Sequence, residues 1–363
     1  MRKINVLISL LLIISSTTLF GQDQNVDALI KEGIELHDAG EYEEAIDRYN
    51  EALDLDSTHI LAIYEISLSY LALKDFENAI LYSTQVIDSN NEQLSSGAYA
   101  VKSESLAAME KVDEAIELLH ESLEKNENKS ILHFNLALNF YKKGDTDKTL
   151  EHIKTAIDID KTHSGAFLLN AYALKDKNMW VQSILSFQMF LLLEPDSKRS
   201  KNAFAEMLQI MQLREVEEPV ERSFIQQQLM KNSSNNAMSK DELPALSIEN
   251  GLNRNFVYHA ITSTRDSLKL ASEEVDDFIL FKTVNMEIMK ILERESKSSN
   301  EGIFWTFYIP FFSHIAHSAY YDVYCRYISV SYYPESFKWW ENNTEAALNF
   351  IMWFEKGDTS EKS

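Results

Sequence analysis

Cysteine is almost missing from this chain of 363 residues; Cys325 is the only one. A single thiol excludes an internal disulfide framework and a zinc site built from several cysteines. Set among aromatics, it reads as a small buried hydrophobe. Glycine and proline are also scarce, with 9 and 5 copies. These two residues cost most inside a helix, so their scarcity favours a helical chain. Basic side chains fall short of acidic ones, 34 against 57, for a net charge of −23. Nucleic-acid binders need a basic surface that displaces counterions from phosphate, so no nucleic-acid partner is expected. The same deficit disfavours peripheral attachment to an anionic membrane. Catalytic signatures are missing too: there is no glycine-rich phosphate loop, no Gly-x-Ser-x-Gly elbow and no His-Glu-x-x-His. No cofactor and no metal site is expected.

The N-terminus reads as a leader. Arg2 and Lys3 precede an apolar run from Ile4 to Ile14, then Ser15, Ser16, Thr17 and Thr18, and Gly21 stands before Gln22. A charged start, an apolar stretch of secretory length and a small residue at the cut are the parts of a signal peptide. The run is short for a membrane span. No cysteine stands at the cut, so a lipoprotein signal is not indicated. Residues 1–21 are expected to be removed and the protein exported to the periplasm or cell envelope.

Internal periodicity dominates the next stretch. The small residues Ala45, Ala79, Ala115, Thr149 and Ser183 are spaced by 34, 36, 34 and 34. Each is followed by an aliphatic residue: Ile46, Ile80, Ile116, Leu150 and Ile184. Upstream lies a second small column, Gly33, Ser67, Ser103, Ala137 and Ala171, and beyond it a large apolar one, Leu36, Tyr70, Leu106, Phe140 and Leu174. Two helices approach closely only where neither carries bulk, and large residues one turn away fill the space beside the contact. Polar pairs separate the two helices of each unit: Gly40-Glu41, Lys74-Asp75, Glu110-Lys111, Gly144-Asp145 and Asn178-Met179. The linkers Asp56-Ser57-Thr58-His59 and Asp160-Lys161-Thr162-His163 are nearly identical. A hairpin of this kind leaves an apolar face open, so neighbours must stack to cover it.

The period, the columns and the Gly40, Tyr42, Ala45 segment resemble the tetratricopeptide repeat. The resemblance covers residues 24–197 as five repeats, about 26–59, 60–93, 96–129, 130–163 and 164–197. There are departures: His133 replaces an early aromatic, proline appears in a linker only at Pro195, and two extra residues around Asn90 to Gln93 lengthen one loop. Residues 198–214 are expected to form a capping helix and 215–252 a linker or loop with a short helix. Residues 253–363 are expected to form a helical C-terminal domain. The whole is expected to be all-α, and its second half resembles the helical extension of exported tetratricopeptide proteins.

Within the C-terminal part, Val257, Ile261 and Leu268 share one helical face, and Val275, Ile279 and Val284 support a second helix. Residues 302–354 hold 18 of the 40 aromatics. A membrane span at 303–321 is disfavoured by Pro310, His314 and His317, so a packed helical subdomain is expected there. A last helix is expected with Ala346, Leu348, Ile351 and Met352 on its stripe.

The resemblance also implies a function, because in this family the first helix of each hairpin lines a concave groove. By register the groove residues are Ile30, Ile34, Tyr64, Leu68, Leu71, Phe134, Leu138, Tyr141, Leu168, Tyr172 and Lys175. Such a groove suits a protein or peptide partner. Residues 22–92 carry 17 acidic and 3 basic side chains, a net −14, so a basic partner segment is expected. Carboxylate capture is not, since Lys31 and Asn135 lack the rest of a basic set. The C-terminal half could instead fold into the groove. The alternative function is an enzyme with its site near His314, His317 and Tyr321, the first two at a spacing that can share a helix face.

Overall fold

A computed structural model describes residues 25–125, 129–214, 248–249, 252–272, 275–297 and 300–356. The expected leader and most of the expected linker lie outside the described residues. Two compact units divide the chain, Met1–Lys143 and Gly144–Ser363.

The first unit is made of helices α1 (25–39), α2 (Tyr42–Leu55), α3 (Ile60–Leu73), α4 (Phe76–Asp88), α5 (Ser95–Ala108), α6 (Val112–Lys125) and α7 (Ser130–Lys143). The turns inside its hairpins share one backbone device. Gly40, Lys74 and Glu110 sit at φ of 86°, 62° and 64°. The next residue bonds back into the preceding helix, as in Glu41 N–H to Leu36 C=O, Asp75 N–H to Tyr70 C=O and Lys111 N–H to Leu106 C=O, all at 2.9 Å. This left-handed stop satisfies helix-end carbonyls that would otherwise be orphaned. Only Gly40 takes that φ without steric cost. Asp75 then caps α4 by accepting from the Asn78 N–H at 3.1 Å. The lengthened loop holds an Asx turn, where Asn91 Oδ1 accepts from the N–H groups of Gln93 and Leu94 at 3.0 Å.

The small columns lie at the helix contacts. Ala45, Ala79, Ala115, Ser67, Ser103 and Ala137 are all fully buried. Tyr49 of α2 fills the space opened by Gly33 of α1, where an added Cβ would come within 2.4 Å of the ring. Tyr49 joins Val26, Ile30, Ala52, Ala62 and Ile66 in one core cluster.

The second unit begins with α8 (Thr146–Ile159), α9 (Ser164–Asp176), α10 (Trp180–Leu193) and α11 (Lys198–Ile210). Ser183 on α10 donates to the Ala171 carbonyl on α9 at 2.8 Å, so the two small columns touch directly. The linker before α9 forms an Asx turn with Asp160 on Thr162, as Asp56 does with Thr58 in the first unit. Like sequence gives like geometry. The α11 helix closes the hairpin stack and also keeps first-helix geometry. Ala205, Leu208 and left-handed Gln212 (φ 56°) stand 34 residues after Ala171, Leu174 and left-handed Asn178.

A short ladder, β1 (Ile248–Glu249) with β2 (Leu252–Asn253), is antiparallel, pairing Ile248 with Asn253 and Glu249 with Leu252. Then come α12 (Arg254–Ala271), α13 (Asp277–Glu295), a π-turn at Phe304–Tyr308, α14 (Ile309–His317), α15 (Tyr321–Ile328), α16 (Pro334–Asn342) and α17 (Thr344–Lys356). The protein is all-α apart from that ladder among the described residues.

These C-terminal helices pack on α9, α10 and α11. Phe204 of α11 meets Phe281, Tyr332 and Tyr333 at ring-centroid distances of 4.9, 5.2 and 5.5 Å. Phe167 of α9 meets Tyr308 edge-on at 6.3 Å. Buried Gln188 on α10 donates to Asn285 Oδ1 at 3.0 Å and accepts from Tyr324 Oη at 2.7 Å. Covered from both directions, α10 is buried on nearly every side, and an all-round apolar helix is the sequence such a place requires.

The expected second helix is present as α13, and the expected stripe of the last helix is corrected. In α13 the buried side chains are Phe278, Leu280, Phe281, Val284, Asn285, Ile288, Met289 and Leu292, whereas Ile279 is exposed and Val275 precedes the helix. In α17, Ala347 and Phe350 are buried while Leu348 and Met352 are exposed. Both helices are apolar on several sides, so composition alone did not choose the face. Phe278, Phe281 and Phe350 take core positions, where a ring buries the most area.

Candidate partner-binding surface

The first helices of the first unit carry a mixed apolar and acidic face. On α3, Tyr64, Leu68 and Leu71 are half-buried, and on α1 so is Ile34. Ile34 packs against the first core cluster and Tyr64 against the one around Ile63, Val86 and Ala98. Tyr64 lies across Gly97 of α5, where an added Cβ would fall 2.4 Å from its hydroxyl. The α1 and α3 helices are joined by His37 Nδ1 and Ser69 Oγ at 2.8 Å.

Carboxylates flank these apolar groups. Burial pushes the Glu65 carboxyl above its ordinary value, and the neighbouring Asp38 charge pushes it further. Glu104 on α5 is open to solvent yet raised by the protein surrounding it.

Residues 61–93, the α3–α4 hairpin and its linker, match the family model described as tetratricopeptide repeat. That stretch of the chain is thus a tetratricopeptide repeat. No curated protein matches it. Solved structures similar to it include TTC0263, a thermophilic tetratricopeptide protein of Thermus thermophilus. That match is 17% identical, covers 52% of this chain and 99% of that one, and has a TM-score of 0.46. YrrB, a tetratricopeptide protein with an unusual peptide-binding site, is 19% identical over 53% of this chain and 96% of its own, with a TM-score of 0.35. PilF of Pseudomonas aeruginosa is 16% identical over 53% of this chain and 86% of its own, with a TM-score of 0.44. Proteins built from tetratricopeptide repeats act in general as protein-interaction scaffolds.

The residues expected to line the tetratricopeptide groove fall into two groups. Ile34, Tyr64, Leu68, Leu71, Phe134 and Leu138 are half-buried, with part of each side chain accessible. Ile30, Tyr141, Leu168 and Tyr172 are buried. Tyr172 stands edge-on against Phe187 at 5.3 Å, inside its own hairpin. Lys175 is engaged by Glu206 of α11 at 2.7 Å. The α9–α10 hairpin has thus used its expected groove residues for packing and pairing, and the accessible apolar ones lie in the first unit. Sequence register could not separate these cases, because packing and groove positions alternate within a single helical turn. The carboxylates Glu65 and Glu104 were missed. Their first-helix positions were visible in the repeat alignment, but in so acidic a chain they did not stand out.

No carboxylate clamp is assembled from the two residues considered for it. Lys31 pairs with Glu35 at 3.8 Å on the surface, and Asn135 donates to the Ile131 carbonyl at 2.9 Å.

In the C-terminal domain the side chains of the enzymatic reading have separate partners. The His314 ring stacks on Trp353 at 5.4 Å. His317 Nε2 lies 2.8 Å from Glu293. The Tyr321 hydroxyl donates to the Lys282 carbonyl at 2.8 Å. Among the described residues no group of three or more His, Cys, Asp or Glu could hold a metal ion. Cys325 is fully buried, and burial pushes its thiol up to about 12. It therefore stays protonated and unreactive. Among the described residues no helix is long and apolar enough to cross a membrane.

Proposed function

We propose that this protein is a scaffold of the bacterial cell envelope that holds a partner polypeptide against the first helices of its tetratricopeptide repeats. The observation that carries this reading is the row of half-accessible apolar side chains, Ile34, Tyr64, Leu68 and Leu71, left uncovered on α1 and α3. Apolar groups that a fold could have buried, but leaves within reach of solvent beside polar neighbours, are typical of recognition surfaces. On this reading five repeats span residues 24–197, the helix at 198–214 closes them and residues 253–363 stabilise that end. The leader-like residues 1–21 support export. The acidic excess of residues 22–92 suits a basic partner.

The test is in vivo crosslinking of the tagged protein in its native envelope, followed by identification of what is attached. Leu68→Ala with Leu71→Ala should abolish the crosslink while leaving the helical signal intact. Substitution of Tyr141 or Tyr172 is a poor probe, because both rings are buried and their loss would disturb the fold. An unchanged crosslink in the double variant would remove this face from consideration. Recovery of the mature protein in the cytoplasmic fraction would remove the envelope.

A further inference from the structure

At one place in the second unit positive charge outnumbers negative. Lys282 of α13 and Arg326 of α15 share a single carboxylate, that of Asp322. Lys282 Nζ donates to its Oδ1 at 2.5 Å and Arg326 Nε–H to its Oδ2 at 3.1 Å. Burial opposes the Asp322 charge, but these bonds hold its carboxyl below the ordinary value, so two cations face one anion at neutral pH. Asp277 and Glu335, acidic residues at the starts of α13 and α16, form no ion pair with either cation among the described residues. The guanidinium also lies over two rings. Its Cζ is 4.3 Å from the Phe278 centroid and 5.2 Å from that of Trp339 on α16. Lys282 Nζ is 5.7 Å from the same Phe278 centroid.

This salt bridge uses only part of what Arg326 offers. A guanidinium presents its N–H groups as a planar fork, and two parallel bonds to one carboxylate suit it best. Here only Nε–H is engaged, because Lys282 takes the other carboxylate oxygen. Nη1 and Nη2 donate to nothing among the described residues, and neither is buried, so water reaches both. The side chains of Arg326 and Lys282 are 19% and 27% exposed. Like charges drawn this far out of water repel more than surface charges do, and one carboxylate cannot balance both. A second anion on the open Nη edge removes the excess. Phe278 and Trp339 hold the guanidinium in place before that anion arrives. Of the common oxyanions a carboxylate fits best, being planar and singly charged. A phosphate group carries about −1.5 to −2 near neutral pH and would overfill the site beside Asp322. The chain's net charge of −23 repels anions at long range, but physiological salt screens that field beyond about 8 Å.

We propose that the Nη edge of Arg326, backed by Lys282 and flanked by Trp339, binds a carboxylate group, borne by a glutamate side chain of a partner or by a small organic acid. The site belongs to the second unit alone and does not depend on the scaffold reading above.

The probe is acetate, titrated into the purified full chain with chloride holding the ionic strength constant. Unfolding is followed by tryptophan emission, since all five tryptophans lie in the second unit. Acetate should raise Tm by at least about 2 °C over chloride, the shift expected of a unit this size when a site is filled at a few times its Kd. Arg326→Lys keeps the charge, removes the fork and should erase the advantage. The control is Arg294→Lys. Arg294 also pairs with a glutamate, Glu295, and lies over a ring, that of Phe256 at 5.9 Å, yet its replacement should leave the advantage intact. An advantage that survives in Arg326→Lys, or is absent from the parent chain, ends the proposal. Phosphate should stabilise less than acetate; the reverse order, if it too depends on Arg326, overturns the choice of carboxylate. A second measurement needs no variant and so holds even if Arg326→Lys fails to fold. Phenylglyoxal, read by peptide mass spectrometry, should modify Arg326 more slowly in acetate than in chloride and Arg294 at an unchanged rate; equal slowing at both ends the proposal. Blocked Leu-Glu-Leu and Leu-Gln-Leu peptides then tell the source. Stabilisation by the first alone supports a partner's glutamate, and stabilisation by neither, with acetate effective, supports a small acid.

Discussion

Phe204→Ala should uncouple the C-terminal helices from the last hairpin, and the structure says by how much. Phe204 is fully buried on α11, with Phe281, Tyr332 and Tyr333 around its ring. Truncating a buried phenylalanine costs about 3–5 kcal/mol, from lost transfer energy and the cavity left behind. Three aromatic neighbours on two connected segments cannot all collapse into the gap, so the upper half of that range is expected. A urea slope of about 2 kcal/mol/M then moves the unfolding midpoint down by roughly 2 M. Tryptophan emission is the assay, because all five tryptophans (Trp180, Trp305, Trp339, Trp340 and Trp353) lie after residue 143. Far-UV circular dichroism follows both units. The variant should therefore shift the fluorescence transition strongly and leave a later dichroism transition from the first unit. Phe204→Leu, which keeps most of the volume, should cost about 1–1.5 kcal/mol. A Phe204→Ala midpoint within about 0.5 M of the parent would refute the packing argument.

Gly33→Ala gains about 1 kcal/mol of helix propensity but drives a Cβ to 2.4 Å from the Tyr49 ring; overpacking of about 1–3 kcal/mol should win, lowering Tm rather than raising it. Lys175→Met removes a partner of Glu206, whose side chain is mostly buried, and should cost about 1–2 kcal/mol after allowance for partial screening. Acidification should act in opposite directions on two carboxylate sets. Burial opposes the charge on Asp322, but hydrogen bonds from Lys282 and Arg326 hold its carboxyl below the ordinary value. Its stabilisation is full above the unfolded pKa and lost as pH falls through the folded one. Glu65 and Glu104 are raised, so they destabilise at neutral pH and that penalty lifts as pH falls toward the ordinary glutamate range, about 4.3. Glu65→Gln with Glu104→Gln should flatten this second slope in a Tm-against-pH series; an unaltered slope would count against these two carboxylates as its source. Cys325, fully buried, should resist a thiol reagent in the native protein and react once urea opens the second unit.

How much of this was legible beforehand differs between the halves. In the repeats, steric rules act at fixed spacing, so small residues such as Ala45, Ser67 and Ala171 marked the helix contacts, and polar pairs such as Lys74-Asp75 marked the stops. In the C-terminal half no period exists to average over. Phe278 and Ile279 are adjacent and both apolar, yet one is buried and the other is not. Only the partner surface decides between them, and it is assembled from distant parts of the chain. The same limit applied to the candidate face: Leu71 and Tyr172 occupied expected groove positions, but only the neighbours of Tyr172, Phe187 among them, closed it off. The polar clasp of Gln188, Asn285 and Tyr324 left no local trace at all, since Asn285 and Tyr324 stand 97 and 136 residues beyond Gln188.

Because α11 keeps the step of 34 residues and is then clad in rings, the hairpin stack has a blind end. A gene duplication that copied one hairpin ahead of α9 would insert a new rung without disturbing any of those rings. The same copy placed beyond Gln212 would have to evict them first. Lengthening of this architecture over evolutionary time is therefore expected upstream only, with the terminal block inherited intact.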